Sequence, residues 1–222
     1  MTFSIAARMG DAYGVAVASK FIAVGSVVPG VRIGVGAVAT QAMAKVSYRE
    51  DVLDLLAGGV DAATAVARVT GADEGRPHRQ LGVVAATSQA TFTGEDCNAW
   101  AGGRAGGDES GRYAIQGNIL TGEDVVLEME RAWLGSSGMP LPRRLLDLFD
   151  LYFGQPQDVQ PLTGELAQEV SARLASLGHT DADVHAALEA WSGVENYEML
   201  LTPAGIDGRV LEALRAATPG AT

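Results

Sequence analysis

The second residue of this sequence is a threonine, directly after Met1. Removal of Met1 would place a hydroxyl and a free α-amine on one residue, and that pair can act as nucleophile and base in covalent catalysis. Chains also begin Met-Thr with no catalytic reason, so the plain reading stands beside the chemical one. The lysines are Lys20 and Lys45; the other permanently basic side chains are arginines. Arginine does not release its proton, whereas a desolvated lysine does. Lys20 is therefore a candidate proton-handling partner, against the plainer reading of a strand-end charge reaching solvent. Gly117-Asn118 falls where a strand reads into a helix. Backbone amides at such a junction can point at an anion, or the pair is an ordinary turn.

Cys97 is the single cysteine, so no internal disulfide forms. That suits a reducing cytosol, and a lone thiol of this kind reads as a small buried hydrophobe. His78, His179 and His185 show no ligand spacing, and no Cys/His cluster exists. We expect no metal and no cofactor.

Two strand-like runs, 2–8 and 13–20, flank Gly10-Asp11-Ala12, which predicts a hairpin. A three-residue loop pairs Met9 with Tyr13 and sets Thr2 opposite Lys20. A loop one residue shorter or longer brings Ser19 or Phe21 there instead. Residues facing each other in this way have Cβ atoms roughly 5 Å apart. A further strand over 33–39 is apolar on both faces, as expected of a strand buried on both sides. Helices are predicted over 47–57, with Ser47 and Glu50 at capping-box spacing and Gly58-Gly59 as the stop, and over 62–69, capped by Asp61. Residues 81–86 and 90–93 read as a second hairpin. A short strand at 98–101 precedes a glycine-rich loop over 102–111, which lacks a phosphate-cradle pattern. A strand at 113–116 and a helix to about 134 follow. After a linker-like stretch at 135–142 the pattern is helical: 143–153, 163–177, 181–191, 194–201 and 208–216.

The chain has 222 residues, 47% of them hydrophobic, enough for a sizeable core. Its net charge of −11 repels phosphate backbones, so nucleic acid is not an expected partner. No apolar run is long enough to span a bilayer, and no secretory leader is evident, so no membrane partner is expected and the cytoplasm is the expected compartment.

Several stretches resemble a bacterial family, domain-of-unknown-function family 1028, which is assigned to the N-terminal-nucleophile hydrolases. They include Thr2-Phe3-Ser4-Ile5-Ala6-Ala7-Arg8, Gly14 to Phe21, Gly34 to Ala42, Arg79-Gln80-Leu81-Gly82-Val83-Val84, Phe92-Thr93-Gly94 and Gln116-Gly117-Asn118. Order and spacing hold through about residue 135. The last third is similar, more loosely, to a peptidoglycan-binding-like helical module, through Leu151-Tyr152-Phe153-Gly154, Leu177-Gly178 and Trp191 to Asn196.

The resemblance implies an α+β fold: a four-layer αββα sandwich over residues 1–142 followed by a small all-α domain over 143–222. It implies an amidohydrolase acting on a small amide or peptide-like substrate. Thr2 would be the nucleophile and Lys20 the candidate proton carrier, although Lys20 is not on the strand where the superfamily's lysine lies. A Thr40-Gln41 turn would supply oxyanion amides, and Gly117-Asn118 would stand where a Gly-Ser pair is usual. A retained Met1 would lock the α-amine in a peptide bond and silence this mechanism. The family's further β-rich segment between about 135 and 146 is missing here, where Leu141 to Leu146 runs straight into 147–150. The alternative is a non-catalytic scaffold that binds a peptidoglycan-like glycan or a protein partner through the C-terminal helices. Those helices could equally be an oligomerisation surface, and a homo-oligomer is expected.

Overall fold

The computed structural model describes residues 1–107, 111–152, 158–195, 197 and 200–220. It divides into two compact units, Met1–Tyr152 and Phe153–Thr222.

The first unit holds strands β1 (Thr2–Met9), β2 (Ala12–Ser19), β3 (Pro29–Arg32), β4 (Gly36–Ala42), β5 (Arg79–Ala85), β6 (Gln89–Thr93), β7 (Trp100–Gly107) and β8 (Arg112–Leu120). Its helices are α1 (Val24–Val27), α2 (Tyr48–Ala57), α3 (Ala62–Gly71), α4 (Asp124–Gly135) and α5 (Leu141–Tyr152). The strands form two antiparallel sheets ordered β2-β1-β8-β7 and β3-β4-β5-β6. β1 lies over β4 and β8 over β5. Phe3, Ile5, Ala6 and Ala7 of β1 are all sealed from solvent. A strand is apolar on both faces only when both are covered. Between the sheets sit Ala6, Ala37, Val84 and Ala114, small enough for close approach. Outside one sheet, Val38, Leu81 and Val83 pack on Tyr48, Val52, Leu53 and Val66 of α2 and α3. Outside the other lie α4 and α5. The expected four-layer αββα sandwich is present.

The second unit packs α6 (Gly164–Ser176), α7 (Val184–Glu195) and α8 (Gly208–Ala217) around Leu174, Leu188, Trp191, Ile206, Leu211 and Leu214. Trp191 is 3% exposed and stacks on Tyr197 with ring centroids 5.7 Å apart, so it is core rather than a sugar platform. The helix expected over 194–201 lies partly outside the described residues.

Several expectations are corrected. The first hairpin turns through two residues, with Gly10 in the left-handed region at φ 54°, so Met9 faces Ala12 and Thr2 faces Ser19 rather than Lys20. The glycine-rich run is not a loop as far as Gly107: it is β7, whose glycines let neighbours close in. A Cβ on Gly106 would stand 2.4 Å from the Tyr113 hydroxyl. Residues 108–110 of that expected loop lie outside the described residues. β8 runs straight through Gly117-Asn118, so no turn forms there. Ser47 precedes α2 without a side-chain cap bond, whereas Asp61 caps α3 through the Thr64 amide at 3.0 Å. Helix α5 belongs with the sandwich, because Leu141 and Leu145 press on β2 at Gly14. Gly135 connects to α5 with no strand between.

Candidate functional site

Thr2 begins β1 between Ser19 at the end of β2 and Asn118 on β8. Directly paired residues project to the same face, so the three polar side chains form a row at one edge of the sheet, facing the second sheet. The Thr2 and Ser19 hydroxyls are 2.8 Å apart. Ser19 has a single hydrogen, which it donates to the Met1 carbonyl at 3.2 Å, so Thr2 is the donor in the pair. The Phe21 amide also donates to Ser19 Oγ, at 3.1 Å.

A cleft of about 620 Å³ opens at this edge. Thr2, Ser19, Gln41 and Asn118 are on its polar side, and Phe21, Val24, Met43 and Ile119 on an apolar wall. Ala42 and Ile119 line it with φ of 64° and 55°, while Ala23 (57°) and Ala99 (52°) adjoin its lining residues Val24 and Asn98. Among the described residues of the first unit, these are all the non-glycine residues with positive φ. Each costs roughly 1–3 kcal/mol and persists only where its surroundings hold it, which is common at functional sites. Here the holders include hydrogen bonds from the Ile119 amide to the Asn98 carbonyl (3.1 Å) and from the Met43 amide to the His78 carbonyl (3.0 Å). Arg79, paired with Asp73 at 3.0 Å, also donates to the Met43 carbonyl.

Behind the cleft the inter-sheet space turns polar. Gln116 Nε2 donates to Ser4 Oγ (2.6 Å), and the Ser4 hydroxyl donates to Gln41 Oε1 (2.6 Å). Gln41 Nε2 and Asn118 Nδ2 both donate to Gln80 Oε1, at 2.7 and 3.0 Å. Gln80 Nε2 in turn reaches the carbonyls of Gly117 (2.7 Å) and Gly102 (3.1 Å) and the Thr93 hydroxyl (3.0 Å). Gln116 Oε1 is buried with no partner among the described residues, and a Cβ at Gly82 would stand 2.0 Å from it. A buried network of this kind fixes its members when nearly every group is satisfied.

The sequence candidates separate. Thr2 and Asn118 come together, joined by Gln41 through Gln80. Lys20 is exposed and follows Ser19 on the cleft wall. Thr40 and Gln41 are inside β4 rather than in a turn, and the Thr40 amide is committed to the Val28 carbonyl at 3.0 Å. The Thr40 hydroxyl donates to the Lys45 carbonyl at 3.4 Å. Gly117 offers its carbonyl to Gln80. Sequence reasoning offered Ser19 only as an alternative neighbour of Thr2, and did not single out Gln80 or Gln116 as site residues. Both glutamines are wholly buried, and the trace of this in the sequence is a glutamine next to an apolar strand residue, Leu81 or Ile115. Cys97 also lines the cleft, where burial pushes its thiol up and Sγ donates to the Arg79 carbonyl at 3.4 Å. Among the described residues, no group of three His, Cys, Asp or Glu could hold a metal ion. No described helix is long and apolar enough to cross a membrane.

The model of the "Family of unknown function (DUF1028)" matches residues 2–151. The chain belongs to this family. Residues 152–214 match a second model, "Putative peptidoglycan binding domain". A crystal structure of a DUF1028 protein from Silicibacter pomeroyi is similar, with a TM-score of 0.59 and 31% identity, covering 67% of this chain and 68% of that one. Comparison with curated proteins yields no match.

Proposed function

We propose that this chain is an N-terminal-nucleophile amidohydrolase for a small amide or peptide-like substrate, with Thr2 as nucleophile once Met1 has been removed. The observation that carries the reading is the position of Thr2: its hydroxyl starts a central strand at the mouth of the cleft, between two polar side chains. A free α-amine titrates at about 7.7–8.0, so roughly a tenth to a fifth is neutral at pH 7. A nearby cation enlarges that fraction, and Lys20, one residue past Ser19, is the candidate. The Thr2 hydroxyl attacks the substrate carbonyl and the α-amine takes its proton, then hands it to the departing amine as the C–N bond breaks; water hydrolyses the acyl-enzyme and restores the Thr2 hydroxyl. Because the Thr40 and Met43 amides are already bonded, the oxyanion donors are assigned to the amides of Ala42 and Ala44, where β4 runs out into the cleft. Intact mass of the protein from its own host should lack Met1, and a serine/threonine-directed electrophile should label Thr2 in wild type and not in Thr2→Ala. An intact Met1 rejects the reading.

The match over residues 152–214 favours a second, compatible activity: binding of peptidoglycan-type glycan by the helical unit. That unit has a depression of about 280 Å³ edged by His185, Glu189 and Thr202, groups suited to sugar hydroxyls. The full chain should co-sediment with purified peptidoglycan and a chain ending at Tyr152 should not. Equal sedimentation of both rejects it.

A further inference from the structure

Two backbone carbonyls determine how every amide in the buried network is turned. Those of Gly117 and Gly102 stand 2.7 and 3.1 Å from one end of the Gln80 carboxamide. A carbonyl cannot donate, so that end must be the nitrogen. The other end is then the oxygen, and its neighbours, Gln41 at 2.7 Å and Asn118 at 3.0 Å, must both present nitrogen. Turning Asn118 over would set two acceptors 3.0 Å apart, with Gln80 Oε1 still held by Gln41 and the Asn118 oxygen facing it without a donor.

With its nitrogen held by Gln80, Asn118 has its Oδ1 left over. No described residue donates to that oxygen, and it is not among the buried unpartnered atoms, which places it on the cleft surface. Thr2 is directly across on β1. We propose that Gln80, wholly buried and outside the cleft itself, is a positioning residue. It turns the Asn118 carboxamide so that the cleft presents a hydrogen-bond acceptor beside Thr2 and selects substrates with an amide N–H on the carbon that bears the reacting carbonyl. The site thus takes N-acylaminoacyl substrates and discriminates against their N-alkylated analogues. A site built around one hydrogen bond rejects the analogue that cannot make it. The substrate selectivity rests on the hydrolase reading above; the orientation of Asn118 does not.

The test uses the full chain lacking Met1 and two p-nitrophenyl esters, of N-acetylalanine and of N-acetyl-N-methylalanine. Acylation forms the Thr2 Oγ–carbonyl bond, passes the hydroxyl proton to the α-amine and expels p-nitrophenolate, which is read by absorbance. Wild type should react about tenfold or more faster with the N–H ester, relative to the ratio shown by Thr2→Ala. Gln80→Met and Asn118→Leu should bring that preference down to the Thr2→Ala ratio. An unchanged preference in Gln80→Met overturns the proposal. If neither ester acylates Thr2, the hydrolase reading fails, and the orientation of Asn118 is decided by amide NMR of the wild-type chain. One Asn118 side-chain proton should exchange slowly with solvent; fast exchange of both overturns the positioning role whether or not Gln80→Met folds.

Discussion

Thr2 illustrates how little a residue's type says without its neighbours. Its hydroxyl gains meaning from Ser19 at 2.8 Å, from Asn118 across the strand pair and from the cleft in front of it. Cys97 lines the same cleft and is a contrasting case: burial raises its pKa, so it stays a protonated thiol at neutral pH. We predict that iodoacetamide modifies Cys97 of the folded chain several-fold more slowly at pH 7 than it modifies the unfolded chain. The folded rate should climb with pH along a curve displaced to higher pH. Thiol kinetics between pH 6 and 10 in the presence and absence of denaturant measure both. Faster reaction in the folded state would assign Cys97 a chemical role.

At the scale of elements, the strands deliver the site and the turns set its geometry. A two-residue turn at Gly10-Asp11 brings Ser19, not Lys20, to Thr2. The sequence allowed three registers, because the apolar pattern of 13–20 does not distinguish its faces clearly enough to choose one. The segment around Gly94 is another fixed point. A Cβ there would meet backbone oxygens of Pro77 and Arg76 at 2.2 and 2.3 Å, and neither can swing aside. Gly94→Ala should cost about 1–3 kcal/mol by overpacking, read as a drop in the denaturant midpoint. Gly25→Ala in α1, with nothing within 4 Å, is the matched control and should leave the midpoint nearly unchanged. Removing the α3 cap with Asp61→Ala should cost about 1 kcal/mol. Ser47→Ala should cost far less, since Ser47 makes no side-chain cap bond.

For the molecule as a whole, two separately cored units give two separable stabilities. In the helical unit, Glu169 of α6 bonds Arg215 of α8 through two contacts of 2.8 Å and Arg173 through another. Those partners, Arg215 foremost, hold its carboxyl down at about 2. The native value is below the unfolded one, so the stabilisation is fully present above the usual glutamate range. It is lost as pH falls from there through about 2. Thermal melts of Glu169→Gln followed by scanning calorimetry should show a deficit against wild type at pH 7. That deficit should close as the pH approaches 2; a gap independent of pH would mean packing, not charge, is responsible.

Local pattern in the sequence placed most of the strands and helices, while the four-layer order was implied by the resemblance of its motifs to a known family. The sequence also singled out Thr2 and Asn118 as residues of interest. Hydrophobic period and stop residues are local signals, and a short chain distance carries them. The boundary at 142 was not legible, because the apolar face of α5 matches a bundle as well as a sheet, and only Gly14 of β2 shows which surface it covers. Nor could the glycines of β7 announce a strand, since their reason is the proximity of Tyr113 and Ile115 from the next strand. The glutamine network depended wholly on tertiary structure: Gln41, Gln80 and Gln116 lie on three strands from two sheets. Their amides acquire a direction only when the sandwich closes and the carbonyls of Gly102 and Gly117 exclude the alternative.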